Sequence, residues 1–285
     1  MDVQRNPVIV AGVDGSSSAL RAAEWGAREA ALRQWPILLL TVLPGDLPPD
    51  SEAAVRRRGE EVLHAAEQAV NRHGPIPLVR CELRRGTAAR QLVAESAAAG
   101  MIVVGSRGLG ESGTELDFGS TAEAAIALAA CPVAVVREPP GNPPSGGVVV
   151  GLDSAGVADS ALRWALHEAD LRGTTLLAVH TWREVAAEDW TELTPTMPPG
   201  ERESIAHRLL AERLAGSDER FPDVEIRRSV EHDRPVRALL AHAAHAELLV
   251  IGSRGHSGLT GMLLGSTSRA LAHCSPCPLL VVRST

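Results

Sequence analysis

The chain has 285 residues, 45% hydrophobic and 22% charged, which suits one or two globular domains with sizeable cores. A net charge of −7 and an isoelectric point near 5.8 exclude the clustered basic face that nucleic acids and anionic membranes require. No apolar stretch reaches membrane-spanning length. The polar start passes directly into a strand-like run, so no signal peptide is expected, and four Cys read as reduced thiols of a cytoplasmic protein.

In chain order, Val8 to Val13 is a continuous β-type run, too short for a core helix. Ser16 to Ser18 can cap a helix that extends through Arg33. Ile37 to Leu43 reads as a second buried strand. Val55 to His73 is helical and closed by Gly74-Pro75. Ile76 to Leu83 forms a more amphipathic strand, and Pro77 puts it at a sheet edge. Ala88 to Ala99 reads as helix, Ile102 to Val104 as strand, Ser120 to Ala130 as helix and Val133 to Val136 as strand. Apolar strands alternating with helices predict a parallel sheet covered on both faces.

The pattern then repeats. Val10 to Asp14 returns as Val149 to Asp153, and from there Trp25 matches Trp164, Glu29 matches Glu168, and Leu32-Arg33 match Leu171-Arg172. Val103 to Gly108 returns as Val250 to Gly255, and Cys131 through Arg137 returns as Cys277 through Arg283. Two domains are expected, 1–140 and 146–285, with a Pro/Gly-rich linker at about 138–147. The expected fold is α/β: a Rossmann-like five-stranded parallel sheet of order 3-2-1-4-5 with helices on both faces, duplicated in tandem. In that order the last strand of each copy is an apolar edge, and pairing the two edges would protect both. An intrachain pseudo-dimer or a homodimer is therefore expected.

Glycine-rich loops follow strands one and four of each copy, where doubly wound sheets bind ligands. The sharpest constellation is Gly252, Arg254 and Gly255, then nine residues, then Gly265, Ser266, Thr267 and Ser268. Glycines allow close backbone approach or positive φ. A helix starting at Gly265 offers free amides and a partial positive charge to phosphate, and Arg254 adds a full charge. The first copy carries Gly105, Arg107, Gly108, Gly119, Ser120 and Thr121 in the same places. Asp14, followed by Gly15, and Asp153 end the first strands, where a carboxylate can hold ribose hydroxyls, bind Mg²⁺ or cap the next helix. A purine edge would meet backbone groups at Val42 and Thr181.

The motif G-x2-G-x9-G-[S/T], with an Asp ending strand one, resembles the ATP-binding branch of the universal stress protein family. The resemblance covers nearly the whole chain, and the second copy matches at Asp153, Gly252, Gly255, Gly265 and Ser266. It implies ATP as the adenine nucleotide bound, dimerisation, and a role in stress or dormancy rather than a metabolic reaction. Mg²⁺ is a candidate companion ion.

The first copy departs from the motif. Ten residues separate Gly108 from Gly119, and that loop carries Glu111, Glu115 and Asp117 where the second copy has no acid. Acids facing a triphosphate would repel it, so the second site is expected to bind more tightly. Without Lys there is no Walker A loop. Cys274 and Cys277 form a CxxC after a helix, where the dipole opposes thiolate, so packing is the expected role. Leu193 to Gly200 reads as a long loop, and Trp182 and Trp190 either shield a nucleotide or pack. The favoured function is an ATP-binding regulator that acts through conformation or partners. The competitors are a slow ATPase or phosphotransferase and a nucleotide-free scaffold.

Overall fold

A computed structural model describes residues 7–109, 118–137, 146–153, 159–182, 199–253 and 264–283. Its first half contains β1 (Val8–Gly12), α1 (Ser17–Arg33), β2 (Ile37–Leu43), α2 (Pro49–Val70), β3 (Val79–Arg85), α3 (Ala88–Glu95), β4 (Ala99–Gly105), α4 (Ser120–Leu128) and β5 (Val133–Val136). The second half contains β6 (Val148–Leu152), α5 (Asp159–Arg172), β7 (Leu176–Trp182), α6 (Pro199–Leu214), the single turn α7 (Ser217–Arg220), β8 (Ile226–His232), α8 (Pro235–Ala243), β9 (Leu248–Gly252), α9 (Ser266–Cys274) and β10 (Leu279–Val282).

The strands form one ten-stranded sheet, ordered β3-β2-β1-β4-β5-β10-β9-β6-β7-β8. Each half therefore has the order 3-2-1-4-5 expected from the sequence. Every pairing is parallel except the seam, where β10 meets β5 antiparallel with Leu280 opposite Ala134. The two apolar edges thus cover each other, while β3 and β8 form the outer edges and carry charged residues such as Arg80, Glu82, Arg227 and Glu231. Charged outer strands discourage further edge pairing.

Side chains alternate across the strands. Ile9 and Ala11 join the core beneath α1 and α2, while Val10 joins the core beneath α3 and α4. Both layers continue through the seam into the second half, where α5 and α6 cover the first layer and α8 and α9 the second. Fully sealed side chains such as Ile9, Leu39, Leu176 and Leu248 each contribute roughly 1.5–3 kcal/mol.

Several boundaries differ from those read in the sequence; β3, for example, runs from Val79 to Arg85 rather than from Ile76 to Leu83. α2 begins at Pro49 rather than Val55, because proline at the first helical position loses no hydrogen bond and Asp50 and Glu52 complement the helix dipole. α6 likewise begins at Pro199, so Pro199 and Gly200 are helical rather than loop. α3 ends at Glu95, and β4 starts at Ala99, where the sequence reading continued the helix.

The halves also meet through side chains. Glu29 and Arg33 of α1 face Glu168 and Arg172 of α5, and each guanidinium pairs with both carboxylates.

Candidate functional site

In the first half β1 leads into Asp14 beside the end of β4. Gly15 adopts φ +93°, in the left-handed region, which turns the chain into α1. Ser16 caps that helix by accepting from the Ala19 amide at 3.1 Å. The Asp14 carboxylate accepts from the Ser16 amide at 2.9 Å and from the Leu109 amide at 3.0 Å, which pins the loop after β4 onto β1. Capping of α1 thus falls to Ser16, and both Asp14 oxygens are engaged by backbone.

The far end of that loop is closed by the Gly119 amide, which donates to the Ser106 carbonyl at 2.9 Å. α4 starts immediately afterwards with no side-chain cap. The crevice left between these elements is a cavity of about 420 Å³, within the range of small-molecule pockets. Of the residues singled out in the sequence, Asp14, Val42, Gly105, Arg107, Gly108, Gly119, Ser120 and Thr121 all line it. Its apolar floor adds Leu40, Ala88 and Leu92, which no motif marked. The sequence reading missed Leu109 and took Ser18 only as a candidate cap, whereas the Ser18 hydroxyl accepts from the Arg107 amide at 3.4 Å.

The glycines act through proximity. Neither Gly105 nor Gly108 has positive φ. A Cβ at Gly105 would lie 2.6 Å from Ser18 Oγ and 2.9 Å from the Ala19 nitrogen, so Gly105 lets β4 approach the start of α1.

The second half repeats the closure: the Gly265 amide donates to the Ser253 carbonyl at 2.9 Å, and α9 begins at Ser266 without a side-chain cap. Gly252 ends β9, and Thr267 lies in the first turn of α9. Ser268 departs from the expectation. Its hydroxyl donates to the Gly252 carbonyl at 2.7 Å, so it ties the helix to the strand instead of facing a ligand. Thr181 lies near the end of β7, opposite Glu231 of β8. Arg254 and Gly255 lie outside the described residues, as do Glu111, Glu115, Asp117, Trp190 and 193–198.

Asp153 contrasts with Asp14. Both of its carboxylate oxygens are buried without a hydrogen bond, and among the described residues Arg213 of α6 stands 4.0 Å from one of them. The Ser253 hydroxyl is also buried and unbonded. Behind Asp153, His180 uses Nδ1–H to bond the Leu152 carbonyl at 2.8 Å, the task that Thr41 performs for Val13 in the first half.

The remaining candidates take structural places. Trp182 stacks on His232 with ring centroids 4.3 Å apart, so one face of its ring is already covered. Burial pushes the Cys274 thiol up and the Cys277 thiol up to about 11, the reverse of an activated redox pair. Among the described residues no three His, Cys, Asp or Glu side chains gather as a metal site, and no helix is long and apolar enough to cross a membrane.

Comparison with known proteins places these features in a family context. A model described as the universal stress protein family matches residues 6–137 and again 146–283. A universal stress protein of Mycolicibacterium smegmatis is 38% identical over 290 residues, 96% of each chain. Universal stress protein Rv2005c of Mycobacterium tuberculosis is 37% identical over 292 residues, 97% of each. A universal stress protein structure from Archaeoglobus fulgidus shares the fold, with a TM-score of 0.73 at 21% identity over 99% of this chain and 100% of that one.

Proposed function

This chain belongs to the universal stress protein family, and on that premise we propose that it is a cytoplasmic ATP-binding regulator of stress adaptation. Asp153, Thr181, Gly252, Arg254, Gly255 and the first turn of α9 form its tighter site. The observation that carries this reading is Asp153: two buried carboxylate oxygens without a hydrogen bond. Leaving such acceptors unmet costs on the order of 1–3 kcal/mol, which ribose hydroxyls would recover. Nearby, the uncapped start of α9 keeps its amides for phosphate. The first cavity offers the same ingredients, with Arg107 and the start of α4, but Asp14 is already engaged by backbone.

Regulation requires that ATP bind one conformational state better than another. Titration calorimetry on the full chain tests the ranking of the sites. Asp153→Ala should weaken the tighter binding event by about tenfold, the equivalent of about 1.4 kcal/mol. Asp14→Ala should move only the weaker event. Equal losses in both variants would reverse the ranking, and no ATP binding by the wild type would remove the reading altogether. Multiple turnover that vanishes in Gly252→Ala would assign an ATPase instead.

A further inference from the structure

α4, which opens the first candidate site, and α9, which opens the second, share one layer of core across the seam. In many helices the residue before the N-cap packs on the fourth helical residue, and that contact sets the angle at which the chain enters the helix. α4 has the first member of such a pair in Phe118, which precedes the N-cap Gly119, but its fourth residue is the acidic Glu123. Both positions find their partners on α9 instead. The Phe118 ring sits 4.8 Å from that of His273, tilted by 36°, and the Glu123 carboxylate pairs with Arg269 at 3.0 Å. Arg269 and His273 stand four residues apart and share one face of α9. The ion pair is exposed and contributes little, whereas Phe118 and His273 are both half-buried, so the ring contact is the firmer of the two.

The loop that ends at Phe118 is tied within its own half by Leu109 to Asp14 and by Gly119 to Ser106. Phe118 ties it to the other half. The last turn of α4 is held from the same side: Arg283, directly after β10, donates to the carbonyls of Ala127 at 3.3 Å and Ala129 at 3.0 Å. The ring contact is one-sided. In the repeat Glu123 corresponds to Arg269, but Phe118 corresponds to Leu264 and His273 to Ala127, neither of which has a ring.

We infer that His273 is a positioning residue for the first nucleotide site, supplied by the second half. It seats Phe118, and Phe118 fixes how the chain turns through Gly119 into α4. That turn aims the first amides of α4, which would meet phosphate. This rests on the nucleotide reading above. His273 itself lies about two turns along α9 from Ser266, so its ring belongs to the opposite end of the helix from the second site.

Titration calorimetry with ATP on the full chain tests this. His273→Ala should weaken the event that Asp14→Ala moves by about fivefold, a factor within the worth of an aromatic pair. The event that Asp153→Ala moves should stay unchanged. A variant that merely loosened α9 would do the opposite and weaken the second site, in its own half. His273→Phe keeps a ring and should restore most of the loss, and in a Phe118→Ala background His273→Ala should have no further effect. Without nucleotide, hydrogen exchange at the amides of 120–124 should quicken in His273→Ala by a similar factor and return in His273→Phe. A first event that His273→Ala leaves unmoved, or a second event weakened as much as the first, would overturn the assignment and leave nucleotide binding intact. A wild type that binds no ATP would overturn both.

Discussion

Gly105, at the end of β4, and Gly108, in the loop that follows, stand three residues apart, yet a methyl group would meet different obstacles at each. At Gly105 it meets the start of α1, including the Ala19 backbone; at Gly108 it meets, among the described residues, only Asp14 Oδ2, 2.9 Å away. Gly105→Ala should therefore destabilise the fold by about 1–3 kcal/mol with or without ATP. Gly108→Ala should leave thermal unfolding nearly unchanged while weakening ATP binding at the first site, because it disturbs the bond between Asp14 and Leu109. Thermal melts beside calorimetry separate the two, and a larger melting shift for Gly108→Ala would refute this account. At this scale the sequence revealed which residues gather and not what each one does. Asp14 stood out by position, but its partner Leu109 lies 95 residues away. Ser268 looked like a phosphate donor because its bond to Gly252, 16 residues away, is also set by the fold rather than by local sequence.

Elements repeat more faithfully than the side chains that brace them. In the first half Arg84 of β3 bridges Glu82 and Glu95, linking the strand to α3. In the second half the polarity is reversed: Glu231 of β8 accepts from His242 of α8 at 2.5 Å and from Ser229 at 2.7 Å. Those bonds, His242 foremost, hold the Glu231 carboxyl below its ordinary value of 4.5. A lowered carboxyl stabilises the fold above that ordinary value and loses its contribution as pH falls through the folded one. His242→Ala should thus be less stable than wild type by about 0.5–1 kcal/mol just above pH 4.5, allowing for solvent screening. The gap should close on further acidification, as read by urea midpoints; a gap that widens with acid would contradict the assignment. Strand order was legible because apolar runs and glycine loops alternate strictly. The starts of α2 and α6 were not, since Pro49 and Pro199 resemble breakers until their place at the first helical turn is known.

For the whole molecule, the ring of Glu29, Arg33, Glu168 and Arg172 is a sealed polar feature of the join, each side chain being at most 9% exposed. Burial raises the Glu29 carboxyl more than Arg172 and Arg33 lower it, so charge at this depth is costly. Removing one member, as in Glu168→Leu, should cost about 3–5 kcal/mol by stranding a buried guanidinium. Replacing all four with apolar residues of similar volume should recover most of that loss in urea unfolding. A quadruple variant as unstable as the single would show the ring to be stabilising in itself. The four residues were visible as matched pairs in the repeat, but repetition says that two copies are alike, not that they touch. The antiparallel seam has one more consequence. Strands on its two sides run in opposite directions, so the crevices beyond their carboxyl ends open at opposite rims of a single slab. A flat partner can cover one doorway at a time, and news of the other must reach it through the slab's interior.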